Sequence, residues 1–149
     1  MPALKVGEKA PDFSAHTTDG QISLKDYRDK NLVIYFYVKD QTPGCTMQSC
    51  SLRKGMHRIK EQEAEVLGVS VDDVESHKKF KEKEDLNFPL IADTDYSISR
   101  AFGAFNEERK VSRRMTFVID KNGTINQIFS KVDVRAHADE VIEALKAIK

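Results

Sequence analysis

The 149-residue chain sets 24 Lys and Arg against 24 Asp and Glu, is 40% hydrophobic and holds no Pro- or Gly-rich tract, which fits one globular domain over residues 1–149. With no net charge, nothing steers it towards nucleic acid or an anionic membrane. Residues 1–6 contain no signal-like apolar stretch and the longest apolar run, 32–38, is far too short to span a bilayer, so the expected setting is the cytoplasm.

In chain order, segments 13–17 and 21–24 flank Asp19-Gly20, a strong turn dipeptide, and predict an N-terminal β-hairpin. Residues 32–38 are continuously apolar, β-branched and aromatic, as in a strand buried on both faces at the centre of a sheet. Lys39-Asp40-Gln41-Thr42-Pro43-Gly44 is turn chemistry, after which Met47, Cys50, Met56 and Ile59 recur at helical spacing. Cys45 therefore falls where a strand passes into a helix.

Residues 66–71 predict a second buried strand, and Asp72-Asp73 open a charged helix over 74–84. A short strand over 89–92 and a short helix over 96–102 follow. Residues 115–120 and 124–129 form a hairpin around Lys121-Asn122-Gly123, and 136–148 a closing amphipathic helix. Strands alternating with helices predict an α/β sandwich, a mixed central sheet with helices on both faces, of thioredoxin-like topology.

The two cysteines, Cys45 and Cys50, lie in a chain with no export signal, so a stabilising disulfide framework is not expected and either chemistry or packing remains. A helix N-terminus offers unpaired N–H groups and a partial positive charge, which favour a thiolate at Cys45. Thr42, on the same loop, could accept from a substrate O–H, donate to the sulfur, or merely cap the helix. Arg114, just before the strand at 115, is the candidate cation for thiolate and leaving oxygen, with a surface ion pair as the alternative, whereas Arg113 would point the other way. For Cys50 the residues alone leave core packing and chemistry equally open.

Tyr37-Val38-Lys39-Asp40-Gln41-Thr42-Pro43-Gly44-Cys45-Thr46 closely resembles the active-site stretch of the bacterioferritin comigratory protein family, the peroxiredoxin Q group. The likeness extends to Val6-Gly7-Glu8-Lys9-Ala10-Pro11-Asp12-Phe13, to Gly68-Val69-Ser70-Val71-Asp72 and to Arg114-Met115-Thr116-Phe117-Val118-Ile119-Asp120. Two positions depart from the pattern: Val38 stands where proline is usual and Gln48 where glutamate is common.

The resemblance implies a thiol peroxidase acting on hydrogen peroxide and organic hydroperoxides, with Cys45 peroxidatic, Cys50 resolving, Thr42 positioning the peroxide and Arg114 activating. It further implies a sulfenic acid at Cys45, an intrachain disulfide with Cys50, a thioredoxin-like dithiol reductant and no metal, flavin or haem. Both cysteines in one chain lean towards a monomer, without forbidding a dimer. Five helical residues rise roughly 7.5 Å, beyond the Cα separations of about 4.4 to 6.8 Å that a disulfide accepts. The first helical turn must then unwind, and Ser49, Ser51 and Arg53 are read as giving that segment no strong apolar anchor.

The rivals are a thiol-disulfide exchange protein, against which the four-residue gap between the cysteines argues, and a one-cysteine peroxidase resolved by an external thiol. A non-enzymatic module would have unreactive thiols. His16, His57, His77 and His137 show no metal-ligand spacing with either cysteine.

Overall fold

The computed structural model describes residues 4–148; Met1, Pro2 and Ala3, within the segment read above for the lack of an apolar stretch, lie outside the described residues, as does Lys149. The predicted hairpin forms from β1 (Ser14–Thr17) and β2 (Gly20–Ser23). Its turn closes because Gly20 takes a left-handed φ of 100° and Thr17 donates its hydroxyl to the Gly20 carbonyl at 2.6 Å. The apolar run becomes β3 (Asn31–Phe36), with every residue buried.

Then come α1 (Pro43–Glu61), β4 (Ala64–Ser70), α2 (Val74–Lys83), β5 (Leu90–Ala92) and α3 (Ser97–Ala101). A two-strand excursion, β6 (Phe105–Asn106) and β7 (Val111–Ser112), precedes the hairpin β8 (Met115–Ile119) and β9 (Ile125–Phe129), and α4 (His137–Lys146) follows. The main sheet runs β2-β1-β5-β4-β3-β8-β9. β3, β4 and β5 are parallel, and β8 and β1 join them antiparallel on either side. This is the expected mixed sheet with a thioredoxin-like arrangement.

Strand alternation divides the core into two layers. Val33 and Tyr35 of β3 face Leu52, Met56 and Ile59 of α1, Phe80 of α2, and Val141 and Leu145 of α4. Leu32, Ile34 and Phe36 face the opposite side, where Ile98 and Phe102 of the α3 region cover them. α1 and α4 pack so closely that a Cβ on Gly55 would stand 2.5 Å from the Ala138 Cβ. Among the described residues no helix is long and apolar enough to cross a membrane.

One expectation is corrected and a second refined. The stripe through Met47 and Cys50 is not the buried face of α1: Met47 is 42% exposed and Cys50 half-buried, while Cys45, Gln48, Ser49, Leu52, Gly55, Met56 and Ile59 are buried. Of the polar side chains on the inner face, Ser49 meets the Tyr35 hydroxyl and Gln48 lies one turn after Cys45, placements that an apolar count cannot register. Nor is the segment spanning Cys50 free of ties, although those made by Ser49, Ser51 and Arg53 are polar rather than apolar. Ser49 Oγ lies 2.8 Å from the Tyr35 hydroxyl, Ser51 Oγ accepts from the Ala138 N–H at 3.1 Å, and Arg53 donates to the Glu84 carbonyl.

Candidate active site

β3 ends at Phe36, the Tyr37 N–H still donates to the Val69 carbonyl at 2.9 Å, and the chain then turns away from the sheet. Gln41 closes the turn in the left-handed region at φ 64°, an uncommon conformation for a residue with a Cβ. Thr42 is the extended N-cap of α1, and Pro43 occupies the first turn, where its missing N–H loses nothing and its fixed φ suits the helix. No acidic residue stands in that turn, so the positive end of the helix is uncompensated by the chain.

Cys45 sits in this turn with its side chain fully buried and belongs to the core layer shared by β3, α1 and α4. Val38 packs half-buried against the same layer. Arg114 Nη2 donates to Cys45 Sγ at 3.1 Å. Gly44 permits that approach, since a Cβ there would lie 3.0 Å from Nη2. Arg113, one residue earlier, is exposed; both arginines lie in the connection between β7 and β8, so strand alternation does not set their directions.

The Thr42 hydroxyl does not cap α1: it donates to the Lys39 carbonyl at 2.8 Å. Its one proton is thereby committed, and its lone pairs remain as acceptors. Of the roles open from the sequence, accepting from a bound O–H is the one this geometry allows. Cys50 is a free, half-buried thiol further along the unbroken helix; burial pushes its pKa up, with Glu84 adding to the shift and Arg53 and Lys54 opposing it.

Gln48, one turn after Cys45, is fully buried, and neither end of its amide meets a hydrogen-bond partner among the described residues; the same holds for Arg114 Nε. A groove of about 300 Å³ lined by Pro43, Thr46, Met47, Phe80 and Lys83 runs along the outer side of this first turn. A larger hollow of about 490 Å³ lies beside Leu32 and Ile119, at the opposite end of β3, and contains no cysteine.

The structure thus brings Arg114 onto Cys45, with Thr42 at the N-cap of the same turn, and leaves Cys50 displaced along the helix. Sequence reasoning missed Asp40 and His77, which are buried beside the loop; their signal was the Asp within the turn chemistry and the His on a charged helix, neither of which an apolar pattern marks as buried. Gln48 was noted as a departure from the family pattern, but its full burial was not foreseen.

A buried cysteine in the first turn of a helix, met by an arginine on a sheet of this topology, defines a thiol-based redox enzyme. Residues 6–128 match the AhpC/TSA family model, and the chain belongs to that family. It is a peroxiredoxin, an oxidoreductase of the thiol peroxidase class. It is 39% identical to peroxiredoxin Bcp of Escherichia coli K12 over 153 aligned positions, covering 98% of each chain. Against peroxiredoxin Bcp of Bacillus subtilis it is 39% identical, covering 96% of each.

Among solved structures it resembles the Xanthomonas campestris bacterioferritin comigratory protein, studied for alkyl peroxide reduction, with 36% identity, a TM-score of 0.86 and coverage of 91% of this chain and 90% of that one. A cysteine mutant of PrxQ from Xylella fastidiosa aligns at a TM-score of 0.92 and 31% identity, covering 99% and 98%.

Proposed function

We propose that Cys45 is the peroxidatic cysteine, Thr42 and Arg114 its positioning and activating partners, and Cys50 the resolving cysteine of an intrachain cycle. The observation that carries this reading is the 3.1 Å donation from Arg114 to a buried sulfur at an uncompensated helix N-terminus. The substrates are hydrogen peroxide and organic hydroperoxides, in keeping with the alkyl peroxide reduction named for the Xanthomonas relative.

The Cys45 thiolate attacks the terminal peroxide oxygen as the O–O bond breaks. The other oxygen leaves as water or alcohol after taking a proton, and Cys45 becomes a sulfenic acid. Thr42 accepts from the peroxide O–H and so aligns the bond with the sulfur. Arg114 and the helix N-terminus face the developing charge on the leaving oxygen. The Cys50 thiolate then attacks the sulfenic sulfur, forming the S–S bond and releasing water, and a thioredoxin-like dithiol restores both thiols by exchange.

Residues 1–149 act as one domain, and with both thiols in one chain the unit of catalysis is a monomer. Two unpaired cysteines and the reliance on a dithiol reductant suit the cytoplasm.

The test is one equivalent of hydrogen peroxide added to the reduced protein, followed by non-reducing peptide mass spectrometry beside a Cys45→Ser variant. An intrachain Cys45–Cys50 bridge that the variant lacks is the expected result. Sulfinic acid at Cys45 with Cys50 reduced would transfer resolution to an external thiol. If neither thiol outpaces a free cysteine, the assignment of these residues is wrong.

A further inference from the structure

The loop that carries Thr42 leaves the sheet at Tyr37 and is not held by sheet hydrogen bonds beyond that point, yet it is fixed by a buried polar network that the reaction itself does not use. The Asp40 carboxylate receives the Tyr37 hydroxyl at 2.6 Å, the Ser76 hydroxyl at 2.8 Å and His77 Nδ1 at 2.7 Å. Asp40 is 6% exposed and the His77 side chain not at all. The Asp40 N–H donates to Asp72 at 2.9 Å, and Asp72 is held in turn by the Ser70 hydroxyl at 2.6 Å. Three elements, the loop, the end of β4 and the first turn of α2, are joined there.

The proton count is fixed by the far side of the imidazole. His77 Nε2 lies 2.7 Å from the Ile91 carbonyl, which can only accept, so that nitrogen carries a hydrogen. Nδ1 faces a carboxylate oxygen at 2.7 Å, so this contact holds a proton as well. Ring and carboxyl therefore share one proton in a short hydrogen bond shielded from water, where such a bond is strengthened. Asp40, Asp72 and His77 converge closely enough to suggest a metal site, but both Asp40 oxygens and both imidazole nitrogens are already engaged within the protein.

Gln41 is held at φ 64°, a left-handed conformation that crowds the Cβ of a non-glycine residue, and the Lys39 carbonyl must stay in place for the Thr42 hydroxyl to donate to it. Asp40 lies between these two residues. We propose that Asp40 and His77 are positioning residues of the peroxidase: their shared proton clamps the Lys39–Gln41 turn to α2 and so fixes the direction in which Thr42 presents its acceptor lone pairs to the peroxide. This rests on the roles given above to Cys45 and Thr42.

The test is single-turnover oxidation of Cys45 by hydrogen peroxide in Asp40→Asn, His77→Gln and Ser76→Ala variants, alone and combined with Thr42→Val. Circular dichroism selects the variants that fold, and the ultraviolet absorbance of the thiolate tracks the sulfur. Asp40→Asn and His77→Gln are expected to slow peroxide reduction about 10- to 100-fold with the thiolate absorbance kept, and Ser76→Ala to slow it less.

In the Thr42→Val background the same changes should add nothing, because the clamp acts through Thr42. In the wild type, nitrogen NMR of His77 should find hydrogen on both ring nitrogens. Effects that multiply with Thr42→Val, folded variants that only melt earlier at an unchanged rate, or a bare ring nitrogen would each overturn the clamp. A wild-type Cys45 that resists peroxide would instead sink the role of Cys45, and the clamp with it.

Discussion

Replacing Arg114 by methionine keeps its bulk beside the buried Cys45 sulfur and removes the donor that meets it at 3.1 Å. The rate constant with peroxide, read by stopped-flow fluorescence, should fall about 10²- to 10³-fold, the loss typical of one donor aimed at developing negative charge. Arg114→Lys should recover little, since the planar fork that reaches past Gly44 is lost. Thr42→Ser preserves the hydroxyl and should retain most of the activity, whereas Thr42→Val should lose about 10²-fold. Cys50 gives a separate pH signature. Burial raises its pKa, so its thiolate is scarce at neutral pH and grows as pH rises towards the raised value. Disulfide closure after a peroxide pulse should therefore accelerate with rising pH, and rapid acid quench with mass spectrometry would follow it.

Among the elements, α1 and α4 meet at Gly55, where even a methyl group would overlap Ala138 at 2.5 Å. Gly55→Val should destabilise the fold by about 1 to 3 kcal/mol, visible as an earlier urea midpoint. At the start of α4, His137 is buried between the Thr116 hydroxyl at 2.8 Å and Glu140 at 2.9 Å. Burial holds its pKa below the usual value despite the opposing pull of Glu140. The unfolded chain thus binds the proton more readily, and stability present above about pH 6.5 is lost as pH falls through the depressed folded value. Urea melts between neutral and mildly acidic pH should show this slope, and His137→Gln should flatten it.

At the scale of the whole molecule, the elements with strong periodicity were legible: the 32–38 run became the central strand, and the Asp19-Gly20 and Lys121-Asn122-Gly123 turns became the two flanking hairpins. The excursion through β6 and β7 was not, because two-residue strands either side of Glu107-Glu108-Arg109-Lys110 have no period to detect. The meeting of Cys45 with Arg114 was legible as an expectation, from the place of Cys45 at a helix start and from the family resemblance, while the roles of Thr42 and Arg114 remain those of the proposed function. The Asp40–His77 contact was hidden: residues 37 positions apart meet through burial, and polar residues carry no outward sign that they will be buried. Oxidation of the whole chain should cost about one helical turn of far-ultraviolet dichroism and lower the melting temperature, since a continuous α1 cannot bring five-apart cysteines within bonding distance.

The three side-chain ties at Ser49, Ser51 and Arg53 flank Cys50 and lie beyond the first turn that carries Cys45. They make α1 a fixed post with a short swinging arm, so in the proposed cycle the resolving sulfur is a stationary target and the peroxidatic sulfur does the travelling. The arm's release is then a timer set by residues 43–48 and independent of the peroxide that starts it. At high peroxide a second oxidation of Cys45 competes against that timer, so the dose at which the enzyme is over-oxidised is written into the stability of a single helical turn.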